Sequence, residues 1–85
     1  FHIDNHTADE VTLSWDYEHN KDIFFQIFRN TEDKESCTEA NLISETYNTS
    51  FTDIQLQSGS NYFYFIRCVN NLTKVKSPFA PKVVP

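Results

Sequence analysis

Glycine occurs once in this 85-residue chain, proline three times, and methionine not at all. A single glycine leaves no loop able to cradle a phosphate, and no Ser/His/Asp order sits on a nucleophile turn. His2, His6 and His19 are scattered, whereas a metal site needs three or four convergent ligands. Glu32, Asp33, Glu35 and Glu39 lack the spacing of a calcium loop. Catalysis, metal binding and a bound cofactor are therefore not expected. Basic residues are also scarce, with seven Lys and Arg against twelve Asp and Glu and a net charge of −5. An acidic total without a basic stripe argues against nucleic acid or an anionic membrane as partner. No apolar run approaches the ~20 residues that span a bilayer, so direct membrane insertion is not expected.

What is present is aromatic. Eight Phe, four Tyr and one Trp bring the aromatic content to 15%, within 39% hydrophobic residues. That is enough for a core, and the length fits one domain, residues 1–85. The chain opens directly on strand-like sequence and reads as a domain excised from a longer protein. All the acids lie before residue 54; beyond it stand only Arg67, Lys74, Lys76 and Lys82.

Alternation defines the strands. Phe1 and Ile3, then Val11, Leu13 and Trp15, point to one side. Ile23 to Arg29 places Phe25 and Ile27 inward and Phe24, Gln26 and Phe28 outward. Leu42–Tyr47 reads as a short edge strand and Ser50–Asp53 as the next. Leu56, Gly59 and Tyr62 have the spacing of a tyrosine corner, in which a tyrosine hydroxyl ties back to upstream backbone. From Tyr62 onward, Tyr62, Tyr64, Ile66 and Cys68 share one face and Phe63, Phe65 and Arg67 the other. Val75–Val84 reads as the last strand, interrupted by Pro78 and Pro81, which suit an edge. Short strands between polar turns predict an antiparallel sandwich.

The sequons Asn5-His6-Thr7, Asn48-Thr49-Ser50 and Asn71-Leu72-Thr73 fall in predicted loops or strand ends, where a glycan is tolerated. With an even cysteine count, Cys37 and Cys68, they point to a secreted or cell-surface setting.

Phe1-His2-Ile3 followed by Val11-Thr12-Leu13-Ser14-Trp15 resembles the first two strands of a fibronectin type III domain, with Trp15 as the buried tryptophan. Phe25-Gln26-Ile27-Phe28-Arg29-Asn30 resembles the third strand of that family. Thr49 to Asp53 and Leu56-x-x-Gly59-x-x-Tyr62 resemble its fifth strand and corner. Val69-Asn70-Asn71 and Ser77-Pro78 resemble the end of its sixth strand and the start of its last. The resemblance covers nearly the whole chain and implies an all-β, seven-stranded immunoglobulin-like sandwich. The proline-led segment that usually precedes the first strand is absent. So are Arg-Gly-Asp, the integrin-binding sequence, and the Trp-Ser-x-Trp-Ser of haematopoietic cytokine receptors.

The resemblance makes the third and sixth strands neighbours. Phe24, Phe28, Phe63 and Phe65 would then share an outer face with Arg67, as a protein-binding patch or as aromatics stacked for stability under the charged 30–41 connection. A Cys37–Cys68 disulfide would close a loop of about 32 residues, worth roughly 3–4 kcal/mol; the alternative is a buried free Cys68 and an exposed free Cys37. A second candidate surface is the pole bearing Tyr17, Glu18 and His19 opposite Asn71, Leu72, Lys74 and Lys76. The function implied is a non-catalytic extracellular interaction or spacer module of a receptor or adhesion protein. It would contact a protein partner or neighbouring domains of its own chain. The alternatives are a cytokine- or hormone-binding receptor domain and a spacer attached to a secreted enzyme.

Overall fold

Val11 and Leu13 have no exposed surface, and Thr12 and Ser14, which alternate with them, are only half-buried. That alternation fixes which side of the strand faces the core. The computed structural model describes residues 1–54, 56–57 and 59–85. Its strands are β1 (His2–His6), β2 (Val11–Ser14), β3 (Ile23–Asn30), β4 (Leu42–Thr46), β5 (Ser50–Asp53) and β6 (Phe63–Asn70), with a 3-10 turn at Glu39–Asn41. They form two three-stranded antiparallel sheets, β1-β2-β5 and β4-β3-β6. The sheets close on Val11, Leu13, Trp15, Phe25, Ile27, Tyr64 and Ile66. Trp15 meets Phe25 edge-on at 5.3 Å and Phe1 at 6.0 Å.

The corner forms as its spacing predicts. The Gln57 amide donates to the Tyr62 hydroxyl at 3.0 Å, and Leu56 packs on the core. Gly59 sits at φ 84°, a left-handed conformation that favours glycine. Gln55 and Ser58, inside the predicted corner, lie outside the described residues.

The expected seventh strand is not continuous. The described residues contain six strands, and the 75–84 segment touches β6 through two isolated bridges, Tyr64↔Val83 and Val69↔Lys76. Pro78 and Pro81 supply no N–H, so a regular ladder cannot run through them. The segment still follows β6. Ser77 donates to the Cys68 carbonyl at 2.9 Å and Ala80 to that of Ile66 at 2.9 Å. The Ser77 hydroxyl accepts the Cys68 amide, also at 2.9 Å.

One polar cluster ties the sheets together. Asp53, at the end of β5 and 7% exposed, accepts from Arg29 on β3 and from the Tyr64 hydroxyl on β6, each at 2.7 Å. Burial and the hydrogen bond to Asp53 push the Tyr64 phenol well above its ordinary pKa. The Arg29 guanidinium also lies over the Tyr62 ring at 5.2 Å.

Candidate functional site

The outer face of the β3–β6 pair brings the predicted residues together and then covers most of them. Phe28 stands opposite Phe65, and Gln26 opposite Arg67. Phe24 and Phe63 lie at opposite ends of the pair, across from Val69 and Asn30. Phe28 is 0% and Phe65 1% exposed. The expected open patch of four phenylalanines is therefore absent at its centre. The reason is Phe79, which the sequence reading left without a role. Its ring meets Phe28 edge-on at 5.0 Å and Phe65 at 5.8 Å.

Charges complete the cover. The Arg67 guanidinium lies 4.9 Å from the Phe28 centroid and 5.2 Å from that of Phe79. Its Nε donates to Gln26 Oε1 at 2.7 Å, and Gln26 Nε2 donates to Glu45 at 2.8 Å. Arg67 also pairs with Glu39, which holds that carboxyl below its usual pKa. Lys82 lies 5.7 Å from the Phe63 centroid and is bonded to Asp33 and to the Lys34 carbonyl. The acidic connection after β3 thus lies across the β6 face, held by exposed pairs of the kind that contribute little each.

The disulfide is the second correction. Cys37 and Cys68 are both free thiols. Cys68 packs against the core, on the opposite face of β6 from Arg67. Cys37 lies two residues before Glu39, whose carboxylate bonds Arg67 on the outer face. The Glu39–Arg67 pair holds the connection that bears Cys37 at the outer face, whereas Cys68 packs on the core side. Burial pushes the Cys37 thiol above its ordinary pKa, while charge repulsion from Cys68 raises the phenol of Tyr17. Alkylation in denaturant without reductant should add two labels to the chain; labelling that appears only after reduction would mean the bridge forms.

Comparison with protein-family models and with the curated proteins gives no match to this chain.

The pole where β3 begins and β6 ends is built differently from the sheet face. The Asn71 amide donates to the Asp22 carbonyl at 2.7 Å, fastening the turn after β6 to the β2–β3 loop. Within that turn, Asn70 Oδ1 accepts the amides of Leu72 at 2.8 Å and Thr73 at 3.0 Å, and Lys74 takes φ 65°. With its backbone groups bonded, the turn presents Leu72 (72% exposed) and Val75 (66%) outward. Tyr17 (45%) packs on Phe25 at 5.2 Å, and Tyr47 (57%) on Phe24 at 5.7 Å. Among the described residues, four of the six exposed large hydrophobic ones therefore sit on loops at one end; Ile54 and Val84 are the others. Tyr17, Glu18, His19 and Asn20 also line a cleft of about 520 Å³ that extends to Tyr47 and Asn48.

Sequence reasoning placed Tyr17, Glu18, His19 and Leu72 here but missed Tyr47 and Val75. Both are terminal residues of predicted strands, Tyr47 ending the fourth and Val75 opening the last, whereas β4 stops at Thr46 and no strand begins at Val75. Among the described residues no three His, Cys, Asp or Glu side chains converge. All three sequon asparagines are exposed, Asn5 within β1 and Asn48 and Asn71 in loops at this pole.

Proposed function

We propose that this chain is a non-catalytic extracellular module of fibronectin type III type, belonging to a cell-surface receptor or adhesion protein. Its contact surface is the loop pole. The observation that carries this reading is the concentration of Tyr17, Tyr47, Leu72 and Val75, each at least 45% exposed, on three loops fastened to a rigid sandwich. Exposed apolar groups on well-supported loops are where binding concentrates. The outer sheet face is the poorer candidate because Phe28 and Phe65 have no surface to offer. The buried Trp15, the Tyr62 corner and the two facing sheets support the family resemblance. The sequons Asn5, Asn48 and Asn71 support the extracellular setting. A soluble cytokine or hormone reaching the same loops is the receptor form of this reading.

Binding of the fluorescent, secreted chain to cultured cells, followed by flow cytometry, tests it. The Tyr17→Ser, Leu72→Ser pair should weaken binding at least tenfold, a loss of about 1.4 kcal/mol. Thr52→Lys, on the opposite sheet, should bind as the parent does. Unchanged binding by the pole pair would refute the site. No binding by the parent chain to any cell would leave the spacer role in its place.

A further inference from the structure

We propose that Asn71 carries an N-linked glycan whose first N-acetylglucosamine packs on the Tyr47 ring, making the sugar part of the outer face at the loop pole. The inference rests on the extracellular reading and extends it from a sequon to a seat. Asn71, Phe24 and Tyr47 lie side by side on adjacent chain segments. Together with Glu45 and Thr46 they line a cleft of about 230 Å³, of a size for one sugar ring. Tyr47 leans on Phe24 at 5.7 Å and is still 57% exposed, so this corner of the face is apolar and uncovered. Elsewhere the same face is closed by Phe79, Arg67 and Lys82. Nothing in the described residues does that for Tyr47, whereas a substituent on Asn71 starts at the edge of the cleft.

The acceptor is also correctly presented. Asn71 is exposed, its amide is held by Asp22, and its Oδ1 accepts from Lys74 Nζ at 3.1 Å. Its Nδ2, the atom that is glycosylated, makes no hydrogen bond among the described residues. The donor is a polyprenyl-diphosphate oligosaccharide. The Nδ2–C1 bond forms, the C1–O bond to the diphosphate breaks, one Nδ2 proton leaves, and the diphosphate departs with the electron pair. The C–H face of the attached pyranose and its acetyl methyl then cover apolar ring surface, and Glu45 offers a carboxylate to a sugar hydroxyl. The two sides of the pole are thereby divided. Phe24 and Phe25 point to opposite faces of β3, so Tyr47 on Phe24 and Tyr17 on Phe25 lie on opposite sides of that strand. A glycan on Tyr47 takes that ring out of the protein-contact surface, borders the cleft that Tyr17 and Tyr47 share, and leaves Tyr17, Leu72 and Val75 to a protein.

The test uses the secreted chain from glycosylating cells, with Asn5→Gln and Asn48→Gln in the background and glycans trimmed to one N-acetylglucosamine. Tm is measured across the cycle of parent, Asn71→Gln, Tyr47→Thr and the pair. Loss of the sugar should lower Tm by about 3 °C when Tyr47 is present and by under about 1 °C when it is not. The acetyl methyl resonance should be shifted upfield by the ring in the Tyr47 protein alone. Equal Tm losses with no methyl shift would overturn the seat. Glycopeptide masses of the unsubstituted chain separate the remaining outcomes. An empty Asn71 beside an occupied Asn5 or Asn48 overturns this proposal and spares the extracellular reading; three empty sequons overturn both.

Discussion

Replacing Phe28 with alanine is expected to remove about 3–5 kcal/mol of folding stability. That is a large share of the ~5–15 kcal/mol that holds a domain together. Phe28 has no exposed surface although it lies on the outer face of its sheet, because Phe65, Phe79 and Arg67 enclose it. Truncation deletes a buried ring and opens a cavity that neighbouring side chains refill only in part. It also removes the ring over which the Arg67 guanidinium lies. Phe24→Ala, on the same face but only half-buried, with the exposed Tyr47 as its aromatic neighbour, should lose far less, about 1 kcal/mol. Urea denaturation of the two variants measures the difference. A Phe28→Ala loss as small as that of Phe24→Ala would mean the face is open.

Asp53→Ala should be nearly as damaging, lowering stability by about 2–4 kcal/mol. Asp53 accepts from both Arg29 and Tyr64, so its loss strands two donors at once. The Tyr64 hydroxyl is fully buried and finds no water to replace the carboxylate. Arg29 is about a third exposed, with its side chain at 32%, and is partly rescued by solvent, which keeps the expected loss below that of a fully buried ion pair. Tyr64→Phe removes one donor and leaves the Asp53–Arg29 pair, so its loss should be about 1–2 kcal/mol. Thermal unfolding of the two variants should rank them in that order. The reverse order would place the main contribution of the cluster in the tyrosine rather than in the carboxylate that joins the sheets.

Local pattern made much of this fold legible. Strict alternation in Val11–Trp15 and in Ile23–Arg29 identified the inward residues, and the Leu56–Gly59–Tyr62 spacing identified the corner. What escaped were contacts between segments with no shared periodicity. Phe79 lies between two prolines, where period-two logic stops, so its place over Phe28 and Phe65 is decided by how the proline-broken segment follows β6. The fate of the cysteines turned on the same issue. Cys68 faces the core, and the connection bearing Cys37 crosses the other side of the sheet. The Asp53 cluster did leave a trace. Alternation in β3 puts Arg29 on the side of Phe25 and Ile27, and a guanidinium pointing between sheets calls for an acidic partner. At the pole, Tyr47 ends its predicted strand, which stops one residue earlier at Thr46; its contact with Phe24 depends on the β3–β4 register, which the sequence does not display.

The most direct test of the account is side-chain footprinting of the free chain, made without glycans, with a carbene or hydroxyl-radical label, read residue by residue by mass spectrometry. Tyr17, Tyr47 and Leu72 should label heavily, while Phe28 and Phe65 should remain unlabelled in the folded protein and label only in denaturant. Labelling of Phe28 and Phe65 at the level of Tyr47 under native conditions would contradict it, and would return the sheet face to consideration as the surface that meets a partner.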